Sequence, residues 1–387
     1  MKKKIKIILS YLLITFNTFV FAAENKDGDI LKIGALLPLT GELESLGEDM
    51  LYSINLALHD IGSPKIRIYP KDSGSDKEKI ILACEEFRQQ GIKTIIGPTD
   101  SQFFKELNNF QDLTFISLSN MNTEIKNNII MMGINLESQL LAIRKFIEKE
   151  KKKKTIILYP KNQYAKHIEK NIKMANFTNV KSFGYSKDPK ILTKQIEKLT
   201  NYKKRKINLE SRIKKLEDSE EPKDIRELNL LKQKYTLGKV NFDSVIIIDF
   251  GDGLKSILTS LAYTDVSEKD VLIIAGNQWF DDTLLKETSI KNFYFPSINL
   301  KNFKKFNERF YETYKYKPSE ITILAYDTIG LIYYVWKNQK NLVSANNFNL
   351  KTDIKGKIGN FRISDNKVIQ NLNIYKLEEG KFIKNKF

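Results

Sequence analysis

Cysteine and histidine are almost missing from this sequence of 387 residues. The single cysteine, Cys84, cannot form an internal disulfide, so burial and hydrogen bonding must hold the chain together. It recurs with Ile80, Ile81 and Phe87 at helical spacing, which predicts a buried core thiol. The two histidines, His59 and His167, stand far apart, so a metal centre or a histidine-dependent hydrolase is poorly supplied. There is no GxxxxGK[ST] phosphate loop, and no GxGxxG follows a strand. Asp249-Phe250-Gly251 copies three letters of a kinase signature, but no catalytic loop or strand Lys-Glu pair accompanies it, and it reads as a strand end. No spacing singles out a pair of carboxylates. The chemistry that remains is binding, with no catalytic residue, metal or cofactor expected.

Arginine is scarce as well, at 8 of 64 basic residues, although the formal net charge is +17. Arg reads bases and phosphates better than Lys, so a Lys-rich surface without Arg clusters speaks against a nucleic-acid partner. Long apolar runs are missing beyond residue 23. Before it, Lys2, Lys3, Lys4 and Lys6 precede the run Ile7 to Ala23, which ends in small residues as a secretory signal does. Residues 1–22 are expected to be that signal, cut after Ala22 with Ala23 as the neighbouring alternative. An uncleaved anchor is the competing reading, but a run of about 17 residues containing Asn17 is short and wet for a membrane span. No Cys follows the run, so no lipid attachment is expected. The expected location is the periplasm, with a balance of +13 once the four leading lysines are removed.

At 41% hydrophobic the chain can bury ample core and is long enough for two lobes. Apolar runs that read as buried parallel strands alternate with helical spacing. Leu31 to Leu37, Ile66 to Tyr69, Lys93 to Ile96, Thr114 to Ile116 and Ile129 to Met132 are the strands of a first lobe. The alternation starts afresh at Thr155 to Tyr159, continuing through Val180 to Tyr185, Val245 to Ile248, Val271 to Ala275 and Phe293 to Phe295. The fold class is α/β, with two doubly wound lobes joined by crossovers. Lobe 1 is expected over 30–148 plus 300–345, and lobe 2 over 149–299 plus 346–387. Residues 201–240 interrupt lobe 2 with 12 basic and 7 acidic residues. Leu209, Ile213 and Leu216, then Ile225, Leu228 and Leu231, keep helical spacing on either side of Pro222, which predicts a charged helical hairpin with one apolar seam. From Gly356 to Ile383 the chain alternates apolar and polar around turns and reads as antiparallel strands.

The stretch Lys93 to Asn120 stands out. Two strand ends there run into Thr99, Ser101, Ser119 and Asn120, with room for one short helix from Ser101 to Asn109 between them. Ligands of open α/β sheets bind beyond the carboxyl ends of the strands, where helix N-termini offer free N–H groups. Thr40, after the first strand, faces the same edge. Thr99, Asp100 and Ser101 can equally be helix caps.

The mature chain resembles the type I periplasmic binding proteins, in the branch that holds the leucine/isoleucine/valine-binding proteins. The resemblance rests on IGALLPLTG at 33–41, IIGPTDS at 95–101 and LAYDTIGL at 324–331. It implies two lobes that close like a hinge on a ligand. Ser101 matches the hydroxyl that holds a ligand carboxylate, and Tyr164 matches an aromatic of the second lobe that lies against the ligand. The position of the family's amino-acid-binding Thr falls on Met121, with Thr123 two places later. The family's acidic residue falls on Gly253, with Asp252 one place earlier. The second half is similar to a penicillin-binding-protein-activator subgroup of the same fold, through the charged insert, Thr236-Leu237-Gly238, Phe242-Asp243, Trp279-Phe280-Asp281-Asp282 and Tyr326-Asp327-Thr328. The resemblance implies capture of an amino acid or similar small polar acid for an ABC-type transporter, through its membrane subunits. The alternative is a ligand-sensing regulator of a cell-wall synthase. Ligand contacts are expected at Thr40, Thr99, Ser101, Ser119, Asn120, Thr123, Tyr164, Asp252 and Trp279.

Overall fold

A computed structural model of the chain describes residues 30–121, 127–286, 292–339, 344–378 and 380–385. The signal segment and Thr123 lie outside the described residues. The first sheet contains the parallel strands β1 (Leu31–Leu37), β2 (Ile66–Asp72), β3 (Thr94–Ile96), β4 (Thr114–Ser117) and β5 (Ile129–Met131). The second contains β6 (Thr155–Pro160), β7 (Val180–Tyr185), β8 (Ser244–Ile247), β9 (Leu272–Ala275) and β10 (Phe293–Ser297), also parallel.

Successive side chains of a strand face opposite ways, and here both faces are apolar, as a covered parallel sheet requires. Ile33, Ala35 and Leu37 of β1 face one core with Ile96, Ile116 and Ile130. Leu36, Ile95, Phe115 and Ile129 face another, covered by α2 (Lys77–Gln89) and α3 (Phe104–Leu107). Cys84 of α2 is fully buried there, and burial pushes its thiol pKa up to about 12. The first core continues under α1 (Glu44–Ile61), α10 (Leu300–Tyr314) and α11 (Ile323–Gln339). Tyr52 stacks on Tyr314 at 4.5 Å, Tyr316 donates to Asp49 at 2.6 Å, and Ser53 donates to the Thr322 carbonyl at 2.8 Å. The chain after the second sheet is thereby returned to the first.

The last segment divides between the sheets. The sequence reading placed 346–387 whole in the second lobe. Instead β11 (Ile354–Lys355), β12 (Asn360–Ser364) and β13 (Lys367–Gln370) extend the first sheet beside β5, while β14 (Asn373–Glu378) and β15 (Lys381–Lys384) extend the second beside β10. The cause is a polar lock on β13. Asn135 Nδ2 donates to the Val368 carbonyl at 2.7 Å, and Gln370 Nε2 donates to the carbonyls of Met132 and Gly133. The chain thus passes between the sheets three times: through α4 (Leu136–Lys149), before α10, and at Asn371 and Leu372.

The insert forms two helices, α7 (Tyr202–Glu217) and α8 (Pro222–Leu231). Leu209, Leu216 and Leu231 make a small core of their own with Ile213, Leu228 and Leu237. Ile225, expected in that seam, is exposed instead, because it falls on the outward side of α8.

Candidate functional site

The carboxyl ends of both sheets open on a cleft of about 570 Å³. The first-sheet side supplies Leu118, Asn120, Met121, Ile134, Glu320 and Leu324. The second supplies Asn162, Tyr164, His167, Lys187, Asp249, Phe250 and Trp279, among others. Gln139 of α4 joins the two: its Oε1 accepts the Asn277 N–H at 2.9 Å and its Nε2 donates to the Ile134 carbonyl at 3.3 Å.

Asp249 stands two residues beyond the end of β8, and α9 (Gly251–Tyr263) begins two residues later. Its Oδ2 accepts the Tyr185 hydroxyl and its Oδ1 accepts the Phe250 N–H at 2.9 Å. Burial, and then the bond to Asp249, push the Tyr185 pKa well up, so the phenol stays protonated and remains a donor. A Cβ on Gly253 would stand 2.2 Å from Asp249 Oδ2. Only glycine at 253 leaves the carboxylate its place.

Trp279 and Phe280 both adopt positive φ, at 49° and 64°, a costly backbone for bulky residues. Phe280 offsets that cost by packing edge-on against Tyr375 at 4.8 Å and Phe295 at 5.8 Å. Trp279, one residue earlier, is turned to the cleft. On the opposite rim of the second lobe, Asn162 Oδ1 accepts the Tyr164 N–H at 2.9 Å, holding that residue at the start of α5 (Ala165–Met174). His167 of α5 contacts Asn171 at 3.1 Å; burial and then Lys170 lower its pKa, which favours the neutral ring.

Of the residues expected from sequence, Asn120, Tyr164 and Trp279 line this cleft, and Thr40, Thr99, Ser101, Ser119 and Asp252 do not. Thr40 donates to Asp72 at 2.6 Å and accepts from Lys79 at 3.2 Å, an exposed network beside β2. Ser119 is buried, its Oγ taking the Met121 N–H at 3.2 Å. The helix expected from Ser101 to Asn109 is a 3-10 turn, Ser101–Phe103, followed by the single turn of α3. Asp100 caps it, accepting the Gln102 N–H at 2.9 Å, so the protein's own carboxylate sits where a ligand's was expected. Thr99 and Ser101 are half-buried on that turn. Asp252 lies within the first turn of α9 and points outward, its side chain 103% exposed. The acid of this segment that does line the cleft is Asp249, part of the Asp-Phe-Gly triplet that read only as a strand end. Its signal in the sequence was Gly253 itself, a small residue where the family has an acid. Gln139, Lys187, Asp281 and Glu320 had no such signal. Among the described residues no group of three or more His, Cys, Asp or Glu could hold a metal.

No protein-family model and no curated protein matches the chain. Solved structures do. The leucine-binding protein LivK of Thermotoga maritima superposes with a TM-score of 0.59 at 14% identity, covering 92% of this chain and 98% of its own. The C-domain of LpoA from Haemophilus influenzae, a regulator of PBP1A, superposes at 0.61 and 14% identity, covering 92% and 100%. Of full-length LpoA from the same organism this chain covers 59%. LivJ of Streptococcus pneumoniae, solved with isoleucine, gives 0.53 at 17% identity, covering 92% and 100%. The fold is therefore that of the two-lobed type I periplasmic binding proteins, shared by amino-acid-binding proteins of transporters and by the LpoA C-domain. These neighbours are binding proteins and a regulator.

Proposed function

We propose that the protein is a periplasmic solute-binding protein, which takes a small molecule into the cleft between its lobes and presents it to the membrane subunits of an ABC-type transporter. One observation carries this reading: a cleft of about 570 Å³ is walled from both sheets, with Tyr164, Phe250 and Trp279 turned to it. Apolar walls with a few placed polar groups suit a ligand of amino-acid size, and contacts to both lobes favour closure. Trp279 supplies the test. A bound ligand should raise the melting temperature and change the intrinsic fluorescence, and Trp279→Phe should abolish the fluorescence change while Trp336, packed beside Tyr333 in α11, remains as reference. If a broad panel of amino acids, amines, small peptides and dicarboxylates moves neither signal, the proposal fails.

A second reading, a regulator of a cell-wall synthase, is supported by the hairpin. Its helices leave Ile207 and Leu230 exposed, and Tyr235 beyond them is 76% exposed, which is surface a protein partner could cover. Co-purification from envelope extract separates the readings: a synthase recovered only when the hairpin is present favours regulation, and a permease without a synthase favours transport.

A further inference from the structure

This inference rests on the cleft being the ligand site. The chain is strongly basic, yet the side chains that line the cleft carry the opposite sign. Asp249, Asp281 and Glu320 face it, against one ammonium, Lys187, and one histidine held toward its neutral form. The first-sheet wall offers no cation at all among its described lining residues. The turn at Ser101, which a ligand carboxylate would need, lies outside the lining, and Asp100 already accepts the Gln102 N–H there. A carboxylate entering this cleft would meet three like charges against the single ammonium of Lys187.

A cation meets the reverse. Asp249 is anchored by Tyr185 and by the Phe250 N–H, and each of its oxygens keeps a lone pair to offer. Glu320, at the start of the 3-10 turn Glu320–Thr322 before α11, has no ion-pair partner among the described residues. Asp281, which accepts from Thr283 on both oxygens at 2.8 and 2.9 Å, adds a further negative charge on the same lobe as Asp249. Each lobe therefore offers the cleft at least one carboxylate, and Asp249 is the one that stands beside the exposed Phe250 ring. Phe250 is 76% exposed at the cleft, and Trp279 and Tyr164 present further aromatic faces of the kind that attract cations. We infer that the ligand is a small organic cation with an apolar body and no carboxylate, a primary or quaternary amine, held between Asp249 of the second lobe and Glu320 of the first. A cation shared by the two carboxylates gives closure its differential contact, since only the closed state satisfies both.

The test uses probes that share one branched five-carbon chain bearing an amine, a carboxylate or both: isoamylamine (cation), leucine (zwitterion) and isocaproate (anion), each titrated calorimetrically into the mature chain. Isoamylamine should bind at least roughly tenfold more tightly than leucine, isocaproate should not bind, and added salt should weaken the amine. Asp249→Asn and Glu320→Gln should each lower the amine's affinity by about tenfold or more. Glu320 is exposed, so its exchange tests the charge without disturbing a buried partner, and melting curves establish that both variants fold. Binding of leucine or isocaproate without isoamylamine, or full amine affinity in both variants, overturns the inference while leaving solute binding intact. Silence from all three probes and from the broader panel removes both.

Discussion

Replacing Arg205 with Met should destabilise the protein more than deleting the whole hairpin that carries it. Arg205 lies in the first turn of α7 and is 5% exposed. Its Nε donates to the Thr200 carbonyl at 3.0 Å, its Nη1 to Thr236 Oγ1 at 2.9 Å, and its Nη2 to the Thr264 carbonyl. Thr200 and Thr264 terminate α6 (Pro189–Leu199) and α9, so one guanidinium caps two helix ends where negative dipole charge converges. Thr236 in turn donates to Asp265 at 2.5 Å. Arg205→Met leaves these acceptors buried beneath the hairpin without a donor, and removing one partner from a buried charged network costs about 3–5 kcal/mol. Deleting 202–237 with a short Gly-Ser bridge uncovers the same carbonyls to water, so the loss is the net worth of charged hydrogen bonds, about 1.5–3 kcal/mol. The hairpin's small apolar core is its own and leaves with it. The Leu237 N–H on the Arg205 carbonyl, at 3.0 Å, shows that the two ends of the deletion are adjacent, so closure adds little. At about 2–4 °C per kcal/mol, the point variant should melt roughly 10 °C below the parent and the deletion roughly 5 °C below. Calorimetric scans of the three proteins decide. A deletion that melts below Arg205→Met, or without cooperativity, would refute the reasoning and make the hairpin part of the lobe's core.

Two further outcomes are expected. Asp327 is buried in α11 and accepts the N–H groups of Lys357 and Ile358, each at 2.8 Å; burial pushes its pKa from 3.8 up to about 6 even though those bonds pull it down. Because the folded value is the higher, its contribution to stability is complete below pH 3.8 and is lost as pH rises to 6, at up to about 1.4 kcal/mol per pH unit. Urea unfolding across this window should show that downward slope, and Asp327→Asn should flatten it; the same slope in both proteins would exclude Asp327 as its source. Gly253→Ala should destabilise by about 1–3 kcal/mol through the clash with Asp249, outweighing the gain of about 1 kcal/mol that alanine brings to a helix. Denaturant titration showing a more stable variant would mean that the carboxylate does not lie against the helix.

The strands and helices were legible because apolar periodicity reports local structure directly. Ile33, Ala35 and Leu37 alternating with Leu36 are enough to give a strand covered on both faces. Tyr164 and Trp279 were legible through the motifs that carry the family resemblance, and both line the cleft at the carboxyl ends of the second sheet. Ser101 and Asp252 were expected from the family resemblance, and neither lines this cleft: the turn does start at Ser101 but is capped by Asp100, and Asp252 sits on the solvent side of α9. A helix beginning at Gly251 turns Asp252 to solvent and leaves Asp249 in the cleft. The assignment of 354–370 to the first sheet was not legible at all. An alternating hairpin can add to any free edge, and the bonds that decide, from Asn135 and Gln370, join residues distant in the chain.

The last crossing between the sheets is only Asn371 and Leu372. Two residues reach no farther than about 7 Å even when fully drawn out, and these are fastened on the first-sheet side by the Asn371 N–H on the Asn360 carbonyl at 2.8 Å. A tether that short acts as a swivel: it lets the lobes turn but not draw apart. The closure proposed for the cleft would then be leverage, with displacement growing in proportion to distance from the pivot. Spectroscopic labels flanking Asn371 would register almost nothing during a swing that carries the outer lips of the cleft well apart.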